Sequence, residues 1–405
     1  MNKARMIEVM ALVNLPVNCL NRDEANLPKE CNFGGIPRNM LSSACQKYAM
    51  RKSNEFKEIC DGIGASIRTS RVDAYILPRL KGMPEEFIPA FELLCDTIGK
   101  GKNKDREKTA PKWDKKTDTY DFSKSLKKLP SYGDRDTQIM ILSETQIDFL
   151  VETIQRFIDE ADGDVLKFAS FTNGSVFERE AASNNGEGID NTTLDSALFG
   201  SMTASAFSLS VPASMHVAPM FSIDKLVRES DFYIAADDYI LNNPKEQGAA
   251  FLGDTAYSCS CMYKYAAIDI DILRENLKTV ENVDEVIKKI IPELVKNFVL
   301  TLPKGKQNSN AAYVLPDMVC VNIKEKKVAS NYANAFVVPV KPEGSKSIVS
   351  KGIEKFVAEV DKIDKFYGLE TIDCLFMNCV DDSIPNSATK VENLSEMMKI
   401  VGENL

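Results

Sequence analysis

The chain has 405 residues, 44% hydrophobic and 27% charged, a composition typical of a globular protein with two or three subdomains. No apolar run approaches the roughly 18 residues that cross a bilayer, and the N-terminal residues do not resemble a secretory signal, so we expect a cytoplasmic protein without membrane contact. The net charge of −9, taken as a whole, argues against a nucleic-acid partner.

Apolar periodicity and turn residues predict the secondary structure in chain order. The predicted elements are a strand Met6–Asn14, a helix from Ser42 or Ser43 to about Cys60, a helix Pro84–Thr97, a capping-box helix from Ser143, a short helix within 192–202, a strand Val211–Ile223, an excursion Asp231–Gly253, a strand Ala256–Ile270, a helix from Val283 kinked at Pro292, strands Asp317–Ile323 and Ala333–Val338, and a helix Ile348–Tyr367. This order predicts an α+β fold of ferredoxin-like or split βαβ type, with helices on one face of a sheet.

Positive charge is unevenly distributed along the chain. Residues 100–128 contain eleven Lys or Arg and five Asp or Glu, a net charge of +6 that is also typical of a solvated loop. Residues 31–53 contain no acid and four cations: Arg38, Lys47, Arg51 and Lys52. Local charge, rather than the total, decides whether a surface can dock a polyanion.

The predicted helix after Ser42 has the residues of a phosphate-binding site. If Ser43 caps it, Lys47 and Arg51 follow at spacings of four and project from one face. First-turn amides and the hydroxyl of Ser42 or Ser43 can then meet a phosphate, while the cations neutralise its neighbours. Such a site follows a sugar-phosphate chain without reading bases. The same spacing also fits a helix with an ordinary basic exposed face.

Several kinds of chemistry lack the residues they need. The ten cysteines form no CxxC pair and His216 is the only histidine, which argues against zinc and against histidine-dependent catalysis. Phosphate-binding loops of the GxxxxGK[ST] and GxGxxG kinds are absent. Asp237-Asp238 and Asp269 with Asp271 leave a metal-dependent nuclease site open, although both pairs also fit a solvated edge.

Four blocks, in order, resemble a known family: residues 18–53, "LDSALFGSM" at 194–202, residues 231–271 and residues 304–323. In these blocks the chain is similar to the CasC family, the backbone subunit of the type I-E CRISPR surveillance complex Cascade. The resemblance implies an RRM-like (ferredoxin-like) palm at 1–60, 186–217 and 255–405, a helical fingers insertion at 61–185 and a thumb β-hairpin at 218–254. It also implies a protein without catalysis, metal or cofactor that works in antiviral defence.

The resemblance further implies the partners of the chain. Copies stack head to tail along the crRNA beside other Cascade subunits, and each thumb displaces one base, so that the spacer pairs with target DNA in short segments. Heterologous stacking makes an open helical filament, whose length the guide sets. Base pairing then supplies the sequence specificity, while the protein holds the guide backbone.

Individual residues match positions with roles in that family. Those that match guide-backbone contacts are Arg22, Lys29, Ser42, Ser43, Lys47 and Arg51, with Lys304 and Lys306 as further candidates. Met202 matches a methionine that wedges beside the displaced nucleotide, and Phe232 with Tyr233 match the aromatic pair of the thumb tip. The chain departs from the family pattern at Met40 (for arginine), Ala44 (for glutamine), Tyr48 (for a basic residue), Ser201 (for arginine) and Pro219 (for histidine).

Two other functions stay open. Backbone subunits of other CRISPR types cleave target RNA with an aspartate and a divalent metal, for which Asp23 and Asp237 are candidates here. A general single-stranded RNA-binding module is the other alternative, and the absence of an RNP1-like motif argues against it.

Overall fold

The computed structural model divides into two compact units. Unit 1 comprises Met1–Ile59 with Ser214–Leu405, and unit 2 comprises Cys60–Ala213. The residues that the structure describes are 3–97, 112–114, 119–121, 139–171, 192–201, 210–235, 238, 251–380 and 383–405. The division into palm, fingers and thumb at the boundaries given above stays a prediction.

The helices and strands have the following bounds. The strands are β1 (Met6–Asn18), β2 (Glu30–Phe33), β3 (Ile36–Leu41), β4 (Ile67–Thr69), β5 (Lys112–Asp114), β6 (Thr119–Asp121), β7 (Met140–Leu142), β8 (Met215–Val217), β9 (Met220–Ser222), β10 (Glu229–Ala235), β11 (Phe251–Asp269), β12 (Met318–Lys324), β13 (Asp373–Asn378) and β14 (Thr389–Lys390). The α-helices are α1 (Ser43–Arg51), α2 (Asn54–Ile59), α3 (Asp73–Ile76), α4 (Ile88–Thr97), α5 (Glu144–Ala161), α6 (Val165–Phe171), α7 (Leu194–Phe199), α8 (Ile270–Asn276), α9 (Val283–Leu300), α10 (Gln307–Asn310), α11 (Ile348–Tyr367) and α12 (Leu394–Glu403). Short 3₁₀ helices cover Leu77–Arg79, Glu85–Phe87 and Tyr332–Phe336.

Unit 1 is built on one large sheet. Among the described residues its strand order is β14-β13-β12-β1-β11-β9-β3-β2, with β8 and β10 also paired to β11. The pairs are antiparallel except β13 with β14. The central strand β1 has a nearly continuous apolar run because it is buried on both faces. This sheet, packed with helices, confirms the α+β class.

Helices cover both faces of this sheet, so the expectation of one covered face was wrong. Ala11 and Leu12 are neighbours in β1 and therefore point to opposite faces. Leu12 packs in one core with Phe356 of α11. Lys264 of β11 lies opposite Ala11 of β1. Its Nζ donates to the Phe298 carbonyl of α9 on the other face. The apolar run in β1 fits two covered faces better than one.

Three predicted elements differ from the observed ones for local reasons. The helix from Ser42 ends at Arg51, and Ser53 Oγ accepts the Phe56 amide at 3.0 Å to begin α2. The predicted strand Val211–Ile223 is split into β8 and β9, since Pro219 between them cannot donate to a ladder. The predicted strand Ala333–Val338 is wrong, because most of this segment belongs to the 3₁₀ helix Tyr332–Phe336, which the Asn331 side chain caps.

Unit 2 has a helical core of its own. Its largest buried side chains include Phe87, Phe91, Leu94, Ile147, Leu150, Ile154, Phe157 and Phe168. The predicted capping box is confirmed, because Ser143 Oγ accepts the Gln146 amide at 3.1 Å and Gln146 Oε1 accepts the Ser143 amide at 3.0 Å. Strand β4 pairs with β7, and β5 pairs with β6.

Strand β11 belongs to two structures at once. Its second part, from Ser258 to Asp269, pairs with β1 in the centre of the sheet. Its first part, from Phe251 to Tyr257, pairs with β10 as a two-stranded ribbon. The ribbon is thus a direct continuation of the central sheet, and it overlaps the range predicted for a thumb, 218–254, but extends three residues beyond it to Tyr257. Across the described residues, no helix combines the length and the apolar character that a membrane crossing requires.

A buried ion pair joins β1 to β12. Glu8 and Lys324 are almost completely buried, and their Oε2 and Nζ atoms lie 2.5 Å apart. Glu8 Oε1 also accepts the Tyr265 hydroxyl at 2.6 Å and the Ser330 amide at 2.5 Å. The second carboxylate oxygen of Glu8 is therefore hydrogen-bonded as well. These bonds offset part of the desolvation free energy that burying the ion pair costs.

Removing one partner of this pair should be more harmful than replacing both. We expect Lys324→Met to lower the free energy of unfolding by about 3–5 kcal/mol, because it leaves the Glu8 carboxylate buried without a cation. The double variant Glu8→Gln with Lys324→Met should lose less, since glutamine still accepts from Tyr265 and Ser330. Urea unfolding followed by circular dichroism measures both, and a double variant that loses as much as Lys324→Met or more would contradict this expectation.

A second buried lysine closes the end of α9. Lys264 Nζ donates to the carbonyl oxygens of Phe298 at 2.5 Å and Thr301 at 3.2 Å, and it lies 4.5 Å from the centroid of the Phe298 ring. Phe298 is in the last turn of the helix and Thr301 is its C-terminal cap, so both carbonyls lie at the end where a positive charge is favourable. Burial lowers the pKa of Lys264 from 10.5 to about 7.

This lysine predicts a specific pH dependence of stability. Between pH 7 and 10.5 the unfolded lysine is protonated more than the folded one, so the unfolded chain binds the extra proton. The free energy of unfolding of the wild type should therefore rise with pH in this window relative to that of Lys264→Met, by at most about 1.4 kcal/mol per pH unit. Urea unfolding of both proteins across this range measures the difference, and parallel pH profiles would contradict it.

Candidate nucleic-acid interface

The predicted guide-contacting residues of unit 1 lie on three segments. Arg22 and Lys29 are in the loop after β1, Lys47 and Arg51 are on α1, and the remaining two lysines are in the loop after α9. We call these the three cationic segments: residues 20–29, 42–52 and 302–306. Sequence reasoning predicted the residues, and the structure shows how the segments are held.

One apolar cluster underlies all three cationic segments. Its buried members are Val13, Leu15, Leu20, Leu41, Met220 and Met262, with Leu302 and Val314 packed against them. Leu20 and Leu302 begin the first and third segments, and Leu41 directly precedes the second. Packing of these leucines therefore holds three distant parts of the sequence together, and full burial stabilises by about 1.5–3 kcal/mol for each of Leu20 and Leu41, while Leu302 is half-buried.

The first segment is an ordered turn tied to α1. Asp23 Oδ1 accepts the amides of Ala25 and Leu27, both at 2.9 Å, which closes the turn. Asn21 Oδ1 accepts the Ser42 amide at 2.9 Å, and the Asn21 carbonyl accepts the Lys29 amide at 2.9 Å. Sequence reasoning missed Asn21, since a lone asparagine in a loop carries no signal of a long-range contact.

The second segment begins at one of the two predicted helix caps, and the phosphate-site prediction, which took Ser43 as the cap, was wrong on this point. Ser42 is the capping residue, and its Oγ accepts the Cys45 amide at 3.2 Å. The Ser42 oxygen is therefore engaged as an acceptor within the protein, while its O–H can still donate, and Ser43 offers a second hydroxyl. Among the described residues, the amides of Ser43 and Ala44 have no acceptor.

The cations of α1 lie on its outward side. Gln46, Ala49 and Met50 form the buried face of the helix, whereas Lys47 and Arg51 are half-buried. The helix contains no acid. Lys29 of the first segment is near this helix, because its positive charge opposes the rise in the pKa of the Cys45 thiol that burial causes.

The third segment packs against the first. A Cβ on Gly305 would lie 2.3 Å from the carbonyl oxygen of Leu20, so only glycine allows this approach. Burial raises the pKa of the Cys19 thiol, and the charges of Lys306 and Arg22 oppose that rise, which places both cations near Cys19. Lys304 is exposed.

Lys306 already has a partner at the base of the ribbon. Its Nζ donates to Thr255 Oγ1 at 3.1 Å, and the side chain is half-buried. The cation therefore links the third segment to β11 at the point where the ribbon leaves the sheet. Of the two lysines, Lys304 is the more accessible to a phosphate.

Arg38, one of the four cations in 31–53, is not part of any surface. Its guanidinium is fully buried and donates to five backbone carbonyls, those of Ser222, Ile223, Asp224, Phe336 and Val337. Arg38 therefore joins β3 to β9 and to the 3₁₀ helix. The positive surface charge of this stretch is carried by Lys47, Arg51 and Lys52.

The ribbon carries the predicted aromatic pair on its two faces. Phe232 pairs with Asp254 and Tyr233 with Gly253, so neighbouring positions point in opposite directions. The side chains are 63% and 43% exposed, respectively. Tyr233 lies over Gly253, where a Cβ would be 2.3 Å from the tyrosine ring. Both aromatics lie within strand β10.

The carboxylates considered for a metal site have other partners. Asp269 caps α8 and pairs with Lys327 at 2.7 Å, while Asp271 pairs with Arg5 at 2.6 Å. Within the described ranges, no group of three or more His, Cys, Asp or Glu side chains is placed to hold a metal ion. Asp237 lies outside those ranges.

Some predicted residues fall elsewhere. Met202 lies outside the described residues, as does most of the basic stretch 100–128. Ser201 is buried in unit 2 and forms a two-way backbone bridge with Val211. His216 and Pro219 are exposed in unit 1.

Comparisons with known proteins identify the family. The sequence model of the CT1975-like protein family (Cas_CT1975) matches residues 7–401. The chain belongs to the CT1975-like family. No curated protein matches this chain in sequence.

The fold of this CT1975-like protein recurs in solved structures. A chain of a "CRISPR RNA-guided surveillance complex, pre-nicking" superimposes with a TM-score of 0.71 at 19% identity, covering 99% of this chain and 100% of the other. A chain of a "CRISPR RNA-guided surveillance complex" gives a TM-score of 0.56 at 15% identity, covering 98% of this chain and 99% of the other. At these identities the similarity concerns the fold.

Proposed function

We propose that this CT1975-like protein is a backbone subunit of a CRISPR RNA-guided surveillance complex and binds the guide RNA through its phosphates. The observation that carries the proposal is the packing of three cationic segments on one apolar cluster, within a fold shared over nearly the whole chain with such complexes. An overall acidic protein gains a phosphate-binding surface only where its cations are concentrated in this way.

The proposal assigns different tasks to the two parts of unit 1. Ser43, Lys47 and Arg51 of α1, with Arg22, Lys29 and Lys304 nearby, hold the guide backbone. The ribbon, with Phe232 and Tyr233 exposed, displaces a base so that the spacer pairs with target DNA in segments. We propose that several copies stack head to tail along one crRNA, beside other subunits, in a type I-E complex and without catalysis of their own.

Coexpression with a CRISPR array tests the proposal as a whole. The purified protein should carry RNA, and sequencing should recover spacer-containing guides. A protein free of nucleic acid that also fails to assemble on added guide would overturn the assignment. Regular Mg²⁺-dependent cutting of a bound target RNA would instead favour the RNA-cleaving alternative.

Charge reversal on α1 tests the phosphate-binding surface. We expect Lys47→Glu with Arg51→Glu to reduce copurified RNA by more than about tenfold, because two phosphate contacts become repulsive. A matched control is Lys362→Glu with Lys365→Glu on α11, which reverses the same number of charges and should retain the RNA. Circular dichroism confirms folding, and equal RNA recovery from the two folded variants would contradict the assigned surface.

Truncation of the ribbon aromatics tests the second task. Phe232→Ala with Tyr233→Ala should weaken capture of target DNA more than retention of the guide, since these rings are assigned to base displacement and the cations to the backbone. The control is Phe366→Ala with Tyr367→Ala, another adjacent aromatic pair, which is 77% and 66% exposed at the end of α11. Guide occupancy and target affinity of the assembled complex are measured together, and equal losses in both would reject this division.

A further inference from the structure

An exposed tyrosine stands among the cations of α1. The side chain of Tyr48 is 61% exposed, although its ring is large enough to stabilise a core when buried. Its hydroxyl has no hydrogen-bond partner among the described residues. Tyr48 thus contributes its ring to the outer surface of the candidate interface, and packing within unit 1 does not account for it.

The neighbours of Tyr48 on the helix are small or positive. Ala44 lies four residues before it, and Arg51 and Lys52 lie three and four residues after it, so all three share its side of the helix. Helical tyrosines lean toward the helix N-terminus, which places the ring over the turn that contains Ala44. The alanine methyl is too small to cover the ring, so one aromatic face stays accessible.

A ring bordered by cations suits a nucleotide better than it suits an apolar protein surface. Single-stranded nucleic acids bind where aromatic side chains stack on bases while neighbouring cations neutralise the backbone. The cations beside Tyr48 would have to be desolvated beneath an apolar partner, whereas RNA phosphates would meet their charge. The helix contains no acid that would repel those phosphates.

We propose that Tyr48 is a stacking platform for one nucleobase of the bound guide RNA. This inference rests on the proposed function and extends it, because it adds a contact to a base within a surface otherwise assigned to phosphates. Every base has an aromatic face, so the contact strengthens binding without selecting a sequence.

The experiment compares Tyr48→Ala and Tyr48→Phe with the control Tyr367→Ala, which removes a similarly exposed tyrosine from α11. Binding is measured with an unstructured RNA oligonucleotide too short for two copies and with a full guide. Tyr48→Ala should weaken binding of the short oligonucleotide by about tenfold, and Tyr48→Phe by less than about twofold, because the ring and not the hydroxyl makes the contact. A fluorescent purine analogue in the oligonucleotide should be quenched by the wild type and by Tyr48→Phe but not by Tyr48→Ala.

Three outcomes would overturn the stacking contact. If Tyr48→Ala binds the short oligonucleotide with unchanged affinity, the ring makes no contact with a base. If Tyr48→Phe and Tyr48→Ala lose affinity equally, the contact belongs to the hydroxyl. A loss seen only with the full guide would show that Tyr48 contacts a second protein copy instead of a base. Failure of the proposed function is distinguishable, since the charge reversal at Lys47 and Arg51 would then also leave RNA binding unchanged.

Discussion

The candidate interface depends on three leucines that pack into one apolar cluster. Leu20, Leu41 and Leu302 are far apart in the sequence, and each introduces a segment that carries cations. Bringing positive charges together is unfavourable by itself, because like charges repel. Hydrophobic burial in the apolar cluster offsets that repulsion, so positive side chains can stay close together on the surface above it.

Buried polar contacts then fix the position of each segment. Arg38 holds the strand that leads to α1 by binding main-chain carbonyls, and Lys264 closes α9 just before the loop with Lys304 and Lys306. Asn21 connects the first segment to the helix cap. These residues act inside the protein, yet they determine where the surface cations are. Two of them, Arg38 and Lys264, are basic residues that are buried, so the number of basic residues in a stretch overstates its positive surface.

The continuity of β11 connects the proposed guide surface to the ribbon. One uninterrupted strand passes from the central sheet into the ribbon, so displacement of the ribbon must bend a paired backbone. Lys306 adds a contact to Thr255 at the point of exit. A ribbon supported in this way can hold its aromatic rings in a fixed position, as the proposed displacement of bases at regular intervals would require.

Local signals in the sequence determined much of the fold. The apolar run of β1, the cap at Ser42, the capping box at Ser143 and the periodicity of α11 depend on neighbouring residues, and all were predictable for that reason. The resemblance to a CRISPR backbone family, carried by blocks of residues, agrees with the α+β class and with the family match.

Tertiary structure alone decided the properties that depend on distant partners. Whether a cation is at the surface, as Lys304 is, or inside, as Arg38 is, depends on carbonyls nearly 200 or 300 residues away in the chain. The second covered face of the sheet and the 3₁₀ helix at Tyr332 likewise follow from long-range packing and capping, which periodicity does not encode. The sequence by itself thus determined the elements and the supply of charge, and the fold decided which charges face outward, because burial is set by contacts between residues remote in the chain.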